Sequence, residues 1–120
     1  LYYIKADEEQ FNRVFINLIK NSIESIHEKK SKNASFKGKI NLDIRDDSDY
    51  IYFTIIDNGL GFDQVSKTKM ITPYFTTKKN GTGLGLAIVT KIISDHNSTI
   101  LFNSIKSGAK IEIILPKNYD

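Results

Sequence analysis

Apolar residues recur along this chain with two distinct periods. Phe11, Val14, Phe15, Leu18, Ile19, Ile23 and Ile26, with small Ser22 on the same face, follow the i, i+3, i+4 rhythm of an amphipathic helix. Asp7 offers an N-cap, Gln10 completes a capping-box pattern, and Glu8 and Glu9 suit the positive end of the helix dipole. The pattern predicts a helix from there to about Glu28, preceded by a short strand at Leu1–Lys5. Residues 29–38 are polar and lysine-rich and predict a solvated loop. Then the period becomes two: Ile40, Leu42 and Ile44 alternate with Asn41, Asp43 and Arg45, predicting a strand with one buried face. Asp46-Asp47-Ser48-Asp49 predicts a turn, and Tyr50–Asp57 a second strand with Ile51, Phe53 and Ile55 on one face. So short a connection makes the two an antiparallel hairpin.

Residues 58–83 show no sustained period and carry Gly59, Gly61, Pro73, Gly81 and Gly83; a loop of this length commonly serves as a lid. Leu84 to His96 predicts a second helix, with Leu84, Ala87, Ile88 and Ile92 as its stripe. Asn97 tolerates the left-handed conformation that ends many helices. Two final strands, Thr99–Ile105 and Lys110–Leu115, are joined by Lys106-Ser107-Gly108 and closed by Pro116. This order predicts an α/β (α+β) two-layer sandwich with one sheet face covered by helices.

Composition narrows the function. A chain of 120 residues, 40% hydrophobic and 26% charged, suits one folded domain. It has no Cys, which excludes disulfides, thiolate metal sites and a cysteine nucleophile. A formal net charge of +3 is too mild to argue for nucleic acid or a membrane surface. No apolar run approaches the roughly 20 residues of a membrane span, and no secretory leader is visible. The chain opens on Leu1 without Met, with strand-like residues already in place, and is expected to be a piece of a longer protein.

Three features suit parts of one nucleotide site. Asn17 and Asn21 lie four apart on the first helix, with Asn21 at the edge of its apolar face; an amide oxygen there can ligate Mg²⁺, a hard cation. Asp57-Asn58-Gly59-Leu60-Gly61 directly follows a strand, so a ligand can approach the backbone closely while the carboxylate accepts a hydrogen bond, as from the exocyclic amine of adenine. Gly81-Thr82-Gly83-Leu84-Gly85-Leu86 opens the second helix, whose free N–H groups attract phosphate. It is neither a Rossmann fingerprint, since it follows a loop, nor a P-loop, since no Gly-Lys-Ser/Thr occurs. Lys78, just ahead, is a cation within chain reach of those phosphates.

In this order and separation the three resemble the N, G1, F and G2 boxes of the catalytic ATP-binding domain of histidine kinases, in the Bergerat-fold (GHKL) ATPase superfamily. Asn17-Leu18-Ile19-Lys20-Asn21-Ser22-Ile23 resembles the N box, Asp57 to Gly61 the G1 box, Thr72-Pro73-Tyr74-Phe75-Thr76-Thr77-Lys78 the F box, and Gly81 to Leu86 the G2 box. Gly108-Ala109-Lys110-Ile111 through Leu115-Pro116 is similar to the family's closing strand. The resemblance implies a mixed, mostly antiparallel sheet of about five strands and a flexible ATP lid. It implies ATP and Mg²⁺ as ligands, with Asn21 on the metal and Asp57 on the adenine amino group. Gly59, Gly61, Gly81, Gly83 and Gly85 shape the lid, Tyr74 and Phe75 anchor it, and Thr76, Lys78, Thr82 and Leu84 line the site. Asn17, Asn21 and Lys78 are the residues expected to act on the phosphates.

Asn17 stands where hydrolysing relatives carry Glu, and an amide has no basic lone pair to activate water. That favours phosphoryl transfer to a protein acceptor, where positioning and charge neutralisation carry the rate. Two departures stand out. Glu24 replaces a frequent Lys or Arg, resembling nitrogen-regulation (NtrB/NtrY-like) sensor kinases and leaving Lys20 or Lys78 to offset phosphate charge. Near Lys110 the family often has Thr, so an adenine contact there is in doubt. His27 lies inside the N-box helix, and His96 near a helix end suits the dipole, so neither is the phosphoacceptor. That histidine is expected on a missing dimerisation domain upstream of Leu1. The expected partners are therefore that domain and, through the parent kinase, a response regulator. The resemblance further implies a homodimeric parent, a monomeric and cytoplasmic isolated domain, and no nucleic acid; whether the parent is membrane-anchored stays open. Ile16, outward on the first helix, is expected to meet the dimerisation helices. An anti-sigma-type serine kinase and a degenerate nucleotide-binding interaction module are the rival readings.

Overall fold

The architecture comes from a computed structural model, which describes residues 2–3, 6–61, 85–106 and 108–119. Helix α1 spans Glu8–Lys32, one turn beyond the expected end, with Lys29, Lys30 and Lys32 in a last turn that favours cations. Asp7 is its N-cap: Oδ1 accepts from Gln10 N–H at 3.0 Å. The reciprocal half of the expected capping box is supplied elsewhere. Asp7 N–H donates to Nε2 of His96, 3.1 Å away and 89 residues later in the chain.

Strands β2 (Ile40–Asp46) and β3 (Tyr50–Asp57) form the predicted antiparallel hairpin. Asp47 closes its turn, accepting from the N–H groups of Asp49 and Tyr50 and from the Tyr52 hydroxyl at 2.7 Å. The Tyr52 bond, then the two backbone bonds, hold the Asp47 carboxyl below its ordinary value; the same bond to Asp47 raises the Tyr52 phenol. After helix α2 (Gly85–Asp95) the chain returns as β4 (Thr99–Ile105), and β5 (Gly108–Pro116) then inserts between β4 and β3.

The main sheet has order β2-β3-β5-β4 and is antiparallel throughout. The expected mixed sheet of about five strands is thus corrected to four. The opening strand β1 (Tyr2–Tyr3) pairs instead with β6 (Asn118–Tyr119) in a separate antiparallel ribbon. Pro116 brings no N–H, and Lys117 turns its own toward Asp49 O at 2.8 Å. The chain therefore leaves the ladder there and meets β1 outside it.

Both helices share one core with one face of the sheet. Val14 and Leu18 of α1, Val89, Ile92 and Ile93 of α2, Ile55 of β3 and Ile111, Ile113 and Leu115 of β5 are all buried. The buried stripe of α2 is therefore rotated from the predicted one, with Ala87 and Ile88 only half-buried. The predicted buried face of β2 is mostly open: Leu42 is 53% and Ile44 66% exposed. Ile23 of α1, at 44%, is open for a like reason. The two helices among the described residues, each about 10 Å wide, do not reach over the edge strand. On the opposite sheet face Arg45 pairs with Glu112 at 3.0 Å and lies over the Tyr52 ring.

Asn97 has φ of 54°, as expected past a helix end. Around it Ser98 N–H bonds Ile93 O and Asn97 N–H bonds Ser94 O, a Schellman arrangement. His96 is thereby fixed, with Nδ1 2.7 Å from Ile92 O. Since Nδ1 donates there and Nε2 accepts from Asp7, the partners select the Nδ1–H tautomer. The ring also meets Phe11 edge-on, with centroids 4.7 Å apart. One imidazole thus joins the start of α1 to the end of α2. His96→Ala is expected to cost about 2 kcal/mol in denaturant unfolding, and His96→Phe, which keeps the ring contact, about half of that. Equal losses would place the effect in the hydrogen bonds alone.

Candidate functional site

The longest helix and the end of the second main-sheet strand meet at Asp57. Its side chain is 4% exposed, and Oδ1 accepts from Gly59 N–H at 2.9 Å, the Asx turn that Asp-x-Gly favours. Its other oxygen accepts nothing from the described residues. A carboxylate this buried, with one oxygen held and the other given no donor by the described residues, is suited to receive one.

Asn17 and Asn21 are both half-buried on α1. One turn beyond Asn21, Ser25 Oγ accepts from Leu60 N–H at 2.8 Å. Another turn on, Lys29 Nζ donates to the carbonyls of Asn58 at 3.0 Å and Gly59 at 3.4 Å. The helix side that carries the asparagines therefore runs directly into the turn after Asp57. Among the described residues no three acidic or histidine side chains gather as a metal cage. The oxygen donor of Asn21 suits a hard cation that takes most of its ligands from phosphates and water.

The turn is seated on β5 as well. Gly61 has φ of +75°, a conformation that disfavours a side chain, and a Cβ there would lie 2.6 Å from Gly108 O. At Gly108 a Cβ would lie 1.8 Å from Asp57 O, so only glycine lets β5 pass so close. Ala109, buried, is the residue paired with Asp57. Lys110 pairs with Ile56 one step further along, and so belongs to the other sheet face. The side chain beside the carboxylate is therefore a methyl group, without a hydrogen bond to offer a ligand.

Of the residues expected in the site, Asp57, Gly59 and Gly61 form this corner, and Asn21 and Asn17 lie about one and two turns before Ser25 on the same helix. Gly85 opens α2. Tyr74, Phe75, Thr76, Lys78, Gly81, Thr82, Gly83 and Leu84, and the lid they were assigned to, lie outside the described residues. Lys20 is exposed, and Glu24 is half-buried. Ser25 and Lys29 carry the geometry without having been singled out, and Gly108 and Ala109, noted only within the closing strand, carry it as well. Ser25 and Lys29 continue the four-residue step of Asn17 and Asn21, a signal the sequence held. Lys29 was assigned to a solvated loop, whereas it is helical and its ammonium lies 4.6 Å from the Phe36 ring centre.

The chain belongs to the histidine kinase-, DNA gyrase B- and HSP90-like ATPase family, which it matches over residues 6–119. It is 37% identical to sporulation kinase B of Bacillus subtilis over 114 residues, 94% of this chain and 25% of that protein. It is 35% identical to the nitrogen regulation protein NtrY of Azorhizobium caulinodans over 104 residues, 87% of this chain and 13% of that protein. The nitrogen-regulation type expected from Glu24 is thus among its relatives, beside sporulation kinases. The chain spans about a quarter or less of the length of these relatives. The solved catalytic domain of the histidine kinase ThkA superposes with a TM-score of 0.78 at 31% identity, covering 94% of this chain and 70% of that one. ThkA has also been solved in complex with the response regulator protein TrrA; that structure matches at 28% identity and a TM-score of 0.74, over 96% of this chain and 30% of the ThkA chain.

Gly108→Ala is expected to lower stability by about 1–3 kcal/mol, because the clash is with backbone and not with a side chain that can swing away. An unchanged urea midpoint would show that β5 and Asp57 can separate freely.

Proposed function

We propose that this chain is the ATP-binding domain of a longer sensor histidine kinase, binding Mg-ATP and passing the γ-phosphoryl group to a histidine on a separate dimerisation domain in two-component signalling. The observation that carries the reading is the buried Asp57 carboxylate, with one oxygen bonded among the described residues, on a turn bonded to the same side of α1 as Asn21. In this reading the open oxygen of Asp57 accepts from the adenine amine. Asn21 holds Mg²⁺ through its amide oxygen, where the ion supplies charge neutralisation at the phosphates. Gly59 and Gly61 let the purine approach backbone, while Gly81, Gly83 and Gly85 with Thr82 and Leu84 receive phosphate. Lys78 adds a cation, and Tyr74, Phe75 and Thr76 close the pocket.

The transfer breaks the bond between the γ-phosphorus and its bridging oxygen and forms one from phosphorus to an imidazole nitrogen. No water-activating base is needed, and Asn17 offers none. Neither histidine of this chain suits the acceptor: His96 has both nitrogens bonded within the fold, and His27 sits on the helix that holds the metal residue. The acceptor is therefore assigned to a domain outside residues 1–120. The complex of ThkA with a response regulator supports such a partner here, reached through the parent kinase. The parent is read as a homodimer, with this domain monomeric and cytoplasmic. Among the described residues no helix is long and apolar enough to cross a membrane.

Titration calorimetry tests the site. Asp57→Asn is expected to weaken ATP about tenfold or more whether or not Mg²⁺ is present, since it removes a buried acceptor. Asn21→Ala should weaken it only when Mg²⁺ is present. Unchanged affinity in both variants would overturn the reading. Radiolabelled ATP should leave no phosphohistidine on this chain alone, and should label the parent's dimerisation domain when that is added in trans. In the same reading Ile16, 65% exposed on α1, meets those dimerisation helices. Ile16→Asp should cut trans phosphorylation severalfold at unchanged ATP affinity; a fall in affinity instead would remove Ile16 from the interface.

A further inference from the structure

Asn17, Asn21, Ser25 and Lys29 follow one another at steps of four along α1. At 3.6 residues per turn such a row stays on one side of the helix and drifts slowly around it. Its first two members are the proposed phosphate-end residues. Its last two bond only to backbone, and that backbone is the turn after Asp57.

The polar groups of this turn can be traced one by one. Asn58 N–H donates to Lys39 O, and the Asn58 side chain bonds Lys39 N–H and Lys37 O. Gly59 N–H donates to Asp57 Oδ1. Leu60 N–H is taken by Ser25, and the carbonyls of Asn58 and Gly59 by Lys29. Since Gly59 N–H fixes Oδ1, the position of Gly59 sets where the other oxygen of Asp57 points. Two of the groups that hold this turn come from α1, so the helix aims the carboxylate through the turn. The Lys29 stem is half-buried and its ammonium is steadied over Phe36, which limits the freedom lost in holding two carbonyls.

We propose that Ser25 and Lys29 are positioning residues for the purine: they clamp the turn so that Asp57 selects a base with an amine over one with a carbonyl at the same place. The proposal rests on the reading of Asp57 given above. The row also makes α1 a spacer, in which one helical turn separates the metal residue Asn21 from the clamp that aims the purine contact.

The test is the preference for ATP over GTP, measured by competition on one preparation of the chain. A carboxylate aimed at the amine of adenine meets the carbonyl of guanine, two acceptors face to face, so its alignment sets the preference. A partly unfolded preparation lowers both affinities together and leaves their ratio intact. The double variant Ser25→Ala, Lys29→Met is expected to reduce the preference about tenfold, the loss expected from one misaligned hydrogen bond. Lys29→Arg, which keeps a cationic donor, should stay within about threefold of the parent chain. If the double variant does not fold, Ser25→Ala alone is read in the same way, with about a threefold loss expected. An unchanged ratio in the clamp variants while Asp57→Asn abolishes it would overturn the clamp and leave the purine reading standing. An unchanged ratio in Asp57→Asn as well would overturn both.

Discussion

Helix α1 is held at both ends, and the rest of the molecule is arranged around that constraint. At its start the Asp7 N–H is taken by His96, which is itself locked at the end of α2. Near its close Ser25 and Lys29 hold the backbone that follows β3. Between these points Val14 and Leu18 are fully buried against the sheet and α2. Helical stability in proteins comes mostly from packing, so a helix of 25 residues owes its stability here to its buried stripe and these end contacts more than to propensity.

The same helix serves three surfaces. Its apolar stripe closes the core, its row of four polar residues runs past the candidate site, and Ile16 remains open to solvent. Because these stripes share one rigid body, a shift on one is transmitted to the others.

The sheet contributes closeness. Gly108 brings β5 against the backbone of Asp57, and Ala109 beside the carboxylate adds only a methyl group. Aim at Asp57 therefore comes from the turn and from α1, with no second side chain on β5 sharing the work. Glu112 and Arg45 occupy the far face of the sheet and take no part in this corner.

Much of this was legible in one dimension. Periodicity located both long helices and the four main strands, because burial on one face imposes a repeat of 3.6 or 2 on any chain. The asparagines and the Asp-x-Gly-x-Gly turn were legible as polar and glycine signals at fixed spacing, and the structure joins the turn to the helix that carries those asparagines. What the sequence could not carry was partnership across distance. Nothing at Asp7 announces His96, nothing at Lys29 announces two carbonyls about 30 residues away, and alternation in β2 does not reveal that Leu42 and Ile44 stay exposed. Residue types and local spacing follow from local physics and survive in the sequence. Which donor meets which acceptor depends on how the layers stack, and that was decided only when the chain had folded.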